Sequence, residues 1–333
     1  MKILFISLGS IGLRHLSNIK KLAPKSEIKI LRLKNKSKKK QYNNQINEKE
    51  VYSFNPDLII INSPSNKHFE YFKKFNNKKN HFFIEKPIDS SLKNINKKSL
   101  FNFKNFSMVG YVLRFNHILL KLKKIILDKK FGNINLVDIK VGKYLPDWRS
   151  NNKYYRTVSA QKKLGGGVLL ELSHEIDYAT WLFGYPNKVF SVAKKISNFK
   201  TDVEDVASII FEYPKKIIQI SLDMLQQVPK REIKIVCTKA TIYVDLINHS
   251  LKFFNKKSPK GKEIKLSNPK DNNEIYLKQM DFLLFKIFKK YKPKYKQSKL
   301  FKDYSTLKSS YKTLRIIEKL KSSNKLKKKL NFK

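Results

Sequence analysis

The first 112 residues alternate short apolar runs with amphipathic, lysine-rich stretches, and no other feature of the chain constrains its fold as strongly. Such runs are typical of parallel strands that are buried on both faces and joined by crossover helices. The predicted strands are 2–7, 27–33, 57–62, 81–85 and 106–111, with helices at 11–22, 67–76 and 94–101 and a polar excursion at 34–49. This pattern predicts a doubly wound parallel sheet.

The pattern changes after residue 114. The predicted elements are a helix at 116–130, a strand at 135–143, a helix at 167–183, five or six strands between 188 and 254, and helices at 273–291 and 299–319. Successive strands without helices favour an antiparallel sheet. The predicted fold is α/β, with an N-terminal Rossmann dinucleotide-binding domain at 1–114. A C-terminal α+β domain with a largely antiparallel open sheet follows at 115–318. Residues 319–333 are interpreted as a frayed basic tail, with a binding arm as the alternative.

Composition narrows the class of protein. The chain has 72 Lys and Arg against 26 Asp and Glu, a formal charge of +46, but only seven of the basic residues are Arg. Phosphate-binding surfaces usually also use the planar fork of Arg, so we interpret the excess as a bias at solvated positions. A basic nucleic-acid-binding protein is the lesser alternative.

Cys237 is the single cysteine, which excludes an internal disulfide or a thiol-built metal site. Without a long apolar run or a secretion signal, we expect a cytoplasmic protein with no metal and no membrane contact.

A glycine motif follows the first predicted strand. Gly9, Ser10, Ile11 and Gly12 lie at a strand-to-helix junction, with Gly9 and Gly12 at the second and third glycine positions of GxGxxG and Ser7 at the first. A dinucleotide fold needs small residues here because the pyrophosphate approaches the backbone and the helix N-terminus. The segment therefore predicts cofactor binding, and an ordinary turn is the alternative.

The end of the second strand bears on which cofactor binds. Arg32 stands in a segment without any acidic residue that would accept the ribose 2′-OH of NAD. Arg32, with Lys34 or Ser37, is suited to a 2′-phosphate, which favours NADP over NAD. The alternative is that a loop in this lysine-rich chain is basic by default.

Five segments in register carry a family resemblance. They are 9–12 with Arg14 and His15, 62–64 with His68, 85–87, 110–116, and 165–167 followed by 173–178. In these segments the chain resembles the Gfo/Idh/MocA oxidoreductases, which are NAD(P)-dependent enzymes of sugars and related polyols. The resemblance covers residues 1 to about 185, and the strand-rich remainder fits the family's C-terminal sheet. It implies that the cofactor is contacted by Ser63, Pro64, His68, Glu85, Lys86 and Arg114.

The resemblance also implies two groups that handle the proton. Lys86 is the expected catalytic or substrate-orienting lysine, because an ammonium beside the reacting oxygen stabilises developing negative charge. Pro87 is a candidate for a cis bond. His174 is the expected general acid/base. On one continuous helix, Glu171, His174 and either Asp177 or Tyr178 would share a face, so that Asp177 could orient the ring.

One departure from the family concerns the carboxylate near this histidine. Many members have an Asp four residues earlier, where this chain has Leu170, and Glu171 stands three residues earlier. Either Glu171 substitutes for that Asp, or Asp177 or another group orients His174.

The remaining candidates concern the substrate. Residues 165–167 use three of the ten glycines, which implies close backbone approach to a ligand or a conformation forbidden to side chains. The expected substrate contacts are Lys86, Asn116, Asp147, Trp148, Arg149, Tyr155, Glu171 and His174. The amino-acid sequences of 147–149 and 173–178 are similar to those of family members associated with surface-sugar or nonulosonic-acid synthesis. We therefore expect the substrate to be a nucleotide sugar or an acidic sugar.

The predicted function is hydride transfer between nicotinamide and a sugar. A cofactor-binding sensor that has lost catalysis is the alternative, although the presence of both Lys86 and His174 argues against it. The resemblance further implies a homodimer or homotetramer, in which the apolar face of the second sheet pairs between subunits.

Overall fold

The computed structural model describes residues 1–32, 44–77, 79–148, 153–264 and 271–332. The chain divides into two compact units. The first consists of Met1–Phe115 and Lys270–Tyr311, and the second consists of Asn116–Pro269 and Lys312–Lys333. The first division lies one residue from the predicted boundary, and the return of the chain to the first unit was not predicted.

The first unit contains a parallel sheet with helices. Its strands are β1 (Lys2–Ile6), β2 (Glu27–Leu31), β3 (Gln45–Ile46), β4 (Leu58–Ile61), β5 (His81–Ile84) and β6 (Ser107–Val109). Its first four helices are α1 (Ser10–Leu22), α2 (Glu48–Phe54), α3 (His68–Phe75) and α4 (Lys97–Phe101). In the described residues the strand order is β3-β2-β1-β4-β5-β6, and every pair is parallel. The predicted doubly wound sheet is confirmed.

The central strands explain why this sheet forms. Every side chain of β4 is fully buried, as are the last four residues of β1. Helix α1 buries Gly12, His15, Leu16, Ile19 and Leu22, the spacing of a single helix face. Consecutive buried β-branched residues on strands, and one buried stripe on a helix, are what a sheet covered on both faces requires.

The strand order locates the crevice in which ligands bind in such sheets. The chain winds outward from β1 to β2 and β3, then returns to add β4 on the other side. This reversal lies at the carboxyl ends of β1 and β4, which is where open α/β sheets bind their ligands. The segments that follow these two strands carry the glycine motif and residues 62–64.

Helix α2 was missed by the sequence analysis, which placed a polar excursion up to residue 49. Asn47 caps it, accepting hydrogen bonds from the N–H groups of Lys49 and Glu50, while the Glu50 carboxylate accepts from the Asn47 N–H. The sequence signal was this reciprocal capping box, an Asn with a Glu three residues later. The predicted residues 34–43 of the excursion lie outside the described residues.

The second unit is built around a large sheet. Its strands are β7 (Ile134–Gly142), β8 (Lys188–Lys194), β9 (Val206–Tyr213), β10 (Lys216–Asp223), β11 (Lys230–Cys237), β12 (Thr241–Asp245), β13 (Ser250–Asn255) and β14 (Ser258–Glu263). Its helices include α5 (His117–Leu127), α6 (Val168–Glu171) and α7 (Ser173–Phe183). Beyond these, the described residues contain α8 (Glu274–Ile287) in the first unit, α9 (Leu307–Leu326), and strand β15 (Leu330–Asn331) in the second unit.

The large sheet confirms the predicted antiparallel α+β architecture. Its order in the described residues is β14-β13-β12-β11-β7-β10-β9-β8-β15, with β7 and β10 parallel and the other pairs antiparallel. Residues alternate along the strands between a buried face and an open face. Among the residues that the structure describes, no helix has both the length and the apolar character needed to cross a membrane.

The predicted helix over 167–183 is wrong in one respect, because it is two helices. Leu172 leaves the helical conformation with φ −96° and ψ 29°, which separates α6 from α7. Residues 168–170, 172 and 173 are all buried. One straight helix cannot turn so many successive positions toward a core, whereas a break lets both segments pack.

The prediction of a frayed tail at 319–333 is also wrong. Helix α9 continues to Leu326, with Leu320 and Ser323 fully buried, and β15 then pairs with β8. Beyond that short pairing, Asn324 accepts a hydrogen bond from the Ala193 N–H at 2.9 Å and donates to the Ala193 carbonyl at 3.0 Å. The C-terminal segment therefore covers the edge of the sheet, where an exposed strand would offer unpaired backbone groups.

We expect Asn324→Ala to lower the free energy of unfolding by about 1–3 kcal/mol, because it removes two hydrogen bonds from the β8 backbone. Urea unfolding at fixed protein concentration measures the change. The exposed neighbour Lys325→Ala is the matched control, and equal effects of the two substitutions would contradict the assigned role of Asn324.

Candidate active site

The glycine turn after β1 leaves space on one side and is tightly packed on the other. Among the residues that the structure describes, no atom lies within 4 Å of a Cβ placed on Gly9, whereas a Cβ on Gly12 would lie 3.1 Å from the Ser7 carbonyl oxygen and 3.2 Å from the Asn62 Cβ. Ser7 has φ 67°, a left-handed conformation that costs a non-glycine residue strain, at the place where the motif usually has glycine. Gly9 precedes α1 without any side-chain cap, so the first N–H groups of the helix face the space beside it.

The end of β4 supplies polar groups for which the described part of the chain offers no hydrogen-bond partner. Asn62 and Ser63 are each only 6% exposed, and within the described residues no hydrogen bond is made by the Asn62 amide or the Ser63 hydroxyl. Buried polar groups are normally satisfied, so an unsatisfied set beside Gly12 indicates a polar ligand. These residues, with the open side of Gly9, fit a dinucleotide at the switch point. Ser63 is one of the predicted cofactor contacts, whereas Asn62 belongs to the motif 62–64 without a predicted contact of its own. The signal for Asn62 was a polar residue directly after a fully apolar strand.

Pro64 and His68 belong to the turn that follows. Pro64 precedes a short 3-10 turn, and His68 begins α3 with only 1% of its surface exposed. The two ring nitrogens of His68 lie 2.7 Å from the Pro87 carbonyl oxygen and 2.8 Å from the Ser63 carbonyl oxygen. Burial lowers the pKa of His68. The ring therefore joins the turn after β4 to the turn after β5, and its predicted cofactor contact stays a prediction.

The turn after β5 carries the predicted lysine. The Lys86–Pro87 peptide bond is cis, and Lys86 is half-buried. Glu85 is buried, and its Oε1 accepts a hydrogen bond from His15 Nε2 at 2.6 Å. Its Oε2 accepts from the Lys86 N–H at 3.1 Å. The carboxylate that was predicted to contact cofactor is thus engaged by the protein itself.

Arg114 and Asn116 each make hydrogen bonds that stabilise the fold. Arg114 is buried and donates to the Asp303 carbonyl at 2.8 Å, both in the first unit. Asn116 caps α5, its side-chain oxygen accepting from the N–H groups of Ile118 and Leu119. Their predicted ligand contacts remain predictions. Arg32 directly follows β2 and is half-buried. Its predicted companions Lys34 and Ser37 lie outside the described residues.

In the second unit the glycine run is packed against protein. A Cβ on Gly166 would lie 2.4 Å from the Val158 carbonyl oxygen, and a Cβ on Gly167 would lie 2.6 Å from Glu204 Oε1. Gly165 and Gly167 also have φ of +86° and +106°. The predicted conformation that is forbidden to side chains is therefore found at Gly165 and Gly167. The close approach at Gly166 and Gly167 is to protein atoms.

Glu204 is a carboxylate beside the glycine run that was not predicted from the sequence. It lies against Gly167, and its Oε1 accepts weakly from the Leu169 N–H at 3.4 Å. Burial raises its pKa, opposed by its own backbone N–H and by the nearby charge of Lys321. No sequence signal marked it, because its role depends on the fold bringing the segment before β9 to the glycine run.

The predicted acid/base residue, His174, is the second residue of α7 and follows the break at Leu172. His174 is half-buried, whereas Asp177 is 1% exposed and accepts from the Thr313 hydroxyl at 3.4 Å. Glu171 lies on α6 and accepts from the Ser159 hydroxyl at 3.0 Å. Because Glu171 and His174 lie on different helices, their predicted common helix face does not exist. Orientation of the His174 ring by Asp177 stays a prediction.

The predicted substrate loop is held by its own aromatic rings. Tyr144 and Tyr154 pack against Phe199 with ring centroids 5.4 and 5.6 Å apart. Trp148 donates to the Lys143 carbonyl at 2.9 Å. Asp147 is exposed, and Tyr155 is half-buried beneath the Arg156 guanidinium. Arg149 lies outside the described residues.

The structure brings the predicted residues together in two groups. The first unit assembles the glycine turn, the end of β4 and the Lys86 turn at one end of its parallel sheet. The second unit assembles the glycine run with Ser159, Glu171 and Glu204. The first group combines the open side of Gly9 with a primary amine, that of Lys86. In the second unit His174, three residues after the end of α6, offers an imidazole, a group capable of proton transfer.

Two family models match segments of this chain. A model described as "Oxidoreductase family, NAD-binding Rossmann fold" matches residues 1–99, and the GFO/IDH/MocA C-terminal domain matches residues 119–243. The oxidoreductases YteT and YrbE of Bacillus subtilis are 24% and 28% identical over 140 and 189 residues. These segments are 41% and 54% of this chain, and 32% and 52% of the relatives' lengths.

A solved structure shares the fold over nearly the whole chain. The WlbA dehydrogenase of Bordetella pertussis, in complex with NADH and UDP-GlcNAcA, is 17% identical with a TM-score of 0.75. The match covers 99% of this chain and 98% of that one.

We expect Gly9→Ser to leave the free energy of unfolding almost unchanged but to weaken nicotinamide dinucleotide binding, because its Cβ enters the space beside the helix N-terminus. Gly166→Ser should instead destabilise the protein strongly, because its Cβ collides with backbone oxygens. Thermal unfolding and cofactor titration measure the two effects. Unchanged cofactor affinity in Gly9→Ser would argue against the dinucleotide site.

Glu204→Gln should become progressively more stable than the wild type as pH rises above the ordinary carboxyl range. The raised pKa means that the wild type's stability is full below the unfolded pKa and is lost as pH rises through the folded pKa, whereas Gln does not titrate. Urea unfolding between pH 4 and pH 8 measures the difference. Glu212→Gln is the control, because Lys329 lowers the pKa of Glu212 and the trend should have the opposite sign.

Proposed function

The chain belongs to the Gfo/Idh/MocA family of oxidoreductases, and from this premise we propose that it transfers a hydride between a nicotinamide cofactor and a sugar or nucleotide sugar. The observation that carries the proposal is the set of unsatisfied buried groups on Asn62 and Ser63, which lies beside the glycine turn at the switch point of the sheet. A ligand with a pyrophosphate and two riboses supplies partners for such groups.

We propose that Gly9 to Gly12 and the N-terminus of α1 hold the pyrophosphate, with Asn62 and Ser63 toward the ribose groups. When bound, the nicotinamide supplies or accepts the hydride. Arg32, at the end of β2, supports NADP rather than NAD, because a guanidinium pairs with a 2′-phosphate and no acidic residue stands between Ile30 and Ser37.

Lys86 and His174 have separate tasks in this proposal. The Lys86 ammonium donates a hydrogen bond to the reacting oxygen of the sugar and stabilises the negative charge that develops there. His174 takes the hydroxyl proton when the alcohol is oxidised, or returns it when the carbonyl is reduced. Asp177 orients the imidazole, and Glu171 contacts the substrate.

For the substrate we propose a nucleotide sugar or an acidic sugar in surface-polysaccharide or nonulosonic-acid synthesis. The fold neighbour WlbA, solved with UDP-GlcNAcA, supports this class. The loop with Asp147, Trp148 and Tyr155 offers a carboxylate and aromatic faces, which suit sugar hydroxyls and sugar rings.

We also propose that the protein works as a homodimer or homotetramer. The open face of the large sheet exposes four large apolar side chains by between 38% and 46% of their surface: Val192, Ile210, Ile217 and Tyr243. A second copy of the same face would bury them, as isologous interfaces do.

The test titrates wild type and Lys86→Ala with NADPH and NADH, following cofactor fluorescence and thermal stability, and then screens nucleotide sugars and acidic sugars by nicotinamide absorbance. We expect tighter binding of NADPH. We expect Lys86→Ala to lower kcat by a factor of about 10² to 10⁴, because it removes a group that acts in the transition state, and to weaken cofactor binding much less, because the glycine turn and the end of β4 remain.

Lys93→Ala is the control, since Lys93 is an exposed lysine on the same connection. Failure of the wild type to bind either cofactor would remove the proposed function. Full turnover by Lys86→Ala would remove the catalytic assignment while leaving cofactor binding in place.

A further inference from the structure

The turn that carries Lys86 is held from inside the first unit by a buried hydrogen-bonded pair, His15 and Glu85. We propose that His15 is a positioning residue for Lys86 and acts through the Glu85 carboxylate. The proposal rests on the proposed function, because it gives His15 a role only if Lys86 works on the substrate.

His15 lies on α1 and is fully buried. Its ring packs edge-on against Phe83 of β5, with centroids 5.0 Å apart, and lies 6.0 Å from the ring of Tyr276 on α8. Two aromatic neighbours restrict the plane of the imidazole. Its Nε2 thereby points at the Glu85 carboxylate and donates a hydrogen bond of 2.6 Å.

Glu85 has little freedom to adopt another position. A Cβ on Gly110 would lie 2.8 Å from Glu85 Oε1 and 3.0 Å from Oε2, so the bare glycine after β6 makes the space that the carboxylate fills. The side chain of Glu85 is 10% exposed. A carboxylate this buried is stable only where it is hydrogen-bonded or paired, and His15 supplies that partner.

The carboxylate in turn holds the backbone of the lysine. The Glu85 N–H makes the last ladder bond of β5, to the Ile61 carbonyl at 2.9 Å. The next N–H, that of Lys86, donates to Glu85 Oε2 at 3.1 Å. The chain of contacts therefore runs from the imidazole to the carboxylate and from the carboxylate to the Lys86 main chain.

The position of His15 along α1 gives this chain a purpose. The same helix begins at Ser10, in the turn that we assign to the pyrophosphate. His15 therefore relates the lysine to the helix that holds the cofactor. Small errors in such a relation are costly, since a displacement of about 1 Å lowers a rate by a factor of about 10².

The experiment compares three full-length variants with the wild type. His15→Phe keeps an aromatic ring between Phe83 and Tyr276 but removes the donor. His15→Gln restores a donor to Glu85. His81→Phe is the control, because His81 lies at the opposite end of the same strand, where its ring accepts from the Phe106 N–H.

Two readouts are taken. The first is kcat against cofactor Kd, with the sugar found in the screen above. The second needs no substrate: it is the rate at which acetic anhydride acetylates the Lys86 amine relative to Lys93, measured by peptide mass spectrometry. We expect His15→Phe to lower kcat by about tenfold or more with Kd changed less than about twofold, and to change the relative acetylation rate of Lys86 by about threefold or more. His15→Gln should recover most of both, and His81→Phe should change neither.

The outcomes separate the two proposals. If the wild type binds no nicotinamide dinucleotide, the proposed function fails, and the acetylation rates still decide whether His15 governs the Lys86 turn. If the wild type is active and folded His15→Phe leaves both readouts unchanged, the positioning role is wrong while the function stands. If His15→Phe does not fold, Glu85→Gln decides, because its amide keeps an acceptor for His15 but loses one carboxylate oxygen facing Lys86. Wild-type readouts in that variant would overturn the proposal.

Discussion

Complete burial of the central parallel strands is the constraint on which the rest of the first unit depends. β4 exposes none of its side chains, and its neighbours β1 and β5 are almost as fully covered. A strand buried on both faces cannot carry a polar side chain without a partner, so polar groups are confined to the strand ends. This is why Ser7, Asn62 and Glu85 each stand directly after a strand. The chemistry of the unit is concentrated at one edge because the interior excludes it everywhere else.

At that edge, hydrogen bonding separates structural groups from groups available to a ligand. The Glu85 carboxylate and the His68 imidazole are engaged by the protein, and they tie neighbouring turns to one another. The Asn62 amide and the Ser63 hydroxyl are equally buried but have no hydrogen-bond partner in the described chain. Leaving a buried group unsatisfied costs stability, and such a cost is typical of binding sites. The segment 62–68 thus contains both a structural residue, His68, and the candidate ligand groups of Asn62 and Ser63.

The second unit differs from the first in how its sheet is buried. Its sheet is covered on one face only, so its strands alternate and its polar groups are spread along them. Here the glycine run allows α6 to pack directly against Glu204 and the backbone near Ser159. The break at Leu172 then separates Glu171 from His174. Both features arise from packing around α6.

The doubly wound parallel sheet, the largely antiparallel second sheet and the glycine turn were predicted from the sequence alone, because apolar periodicity and turn residues are local signals. The family was predicted from five motifs in register. The sequence also contained the Asn47 capping box, although it was not recognised. Only the tertiary structure decided which polar residues are satisfied. His15 with Glu85, His68 with two carbonyl groups, and Glu204 with Gly167 are partners distant in sequence, and no local pattern encodes such pairs. For the same reason the structure decided that residues 270–311 belong to the first unit and that the C-terminal segment covers a sheet edge. Burial is a property of the folded chain, and it determines whether a given side chain holds the fold or meets a ligand.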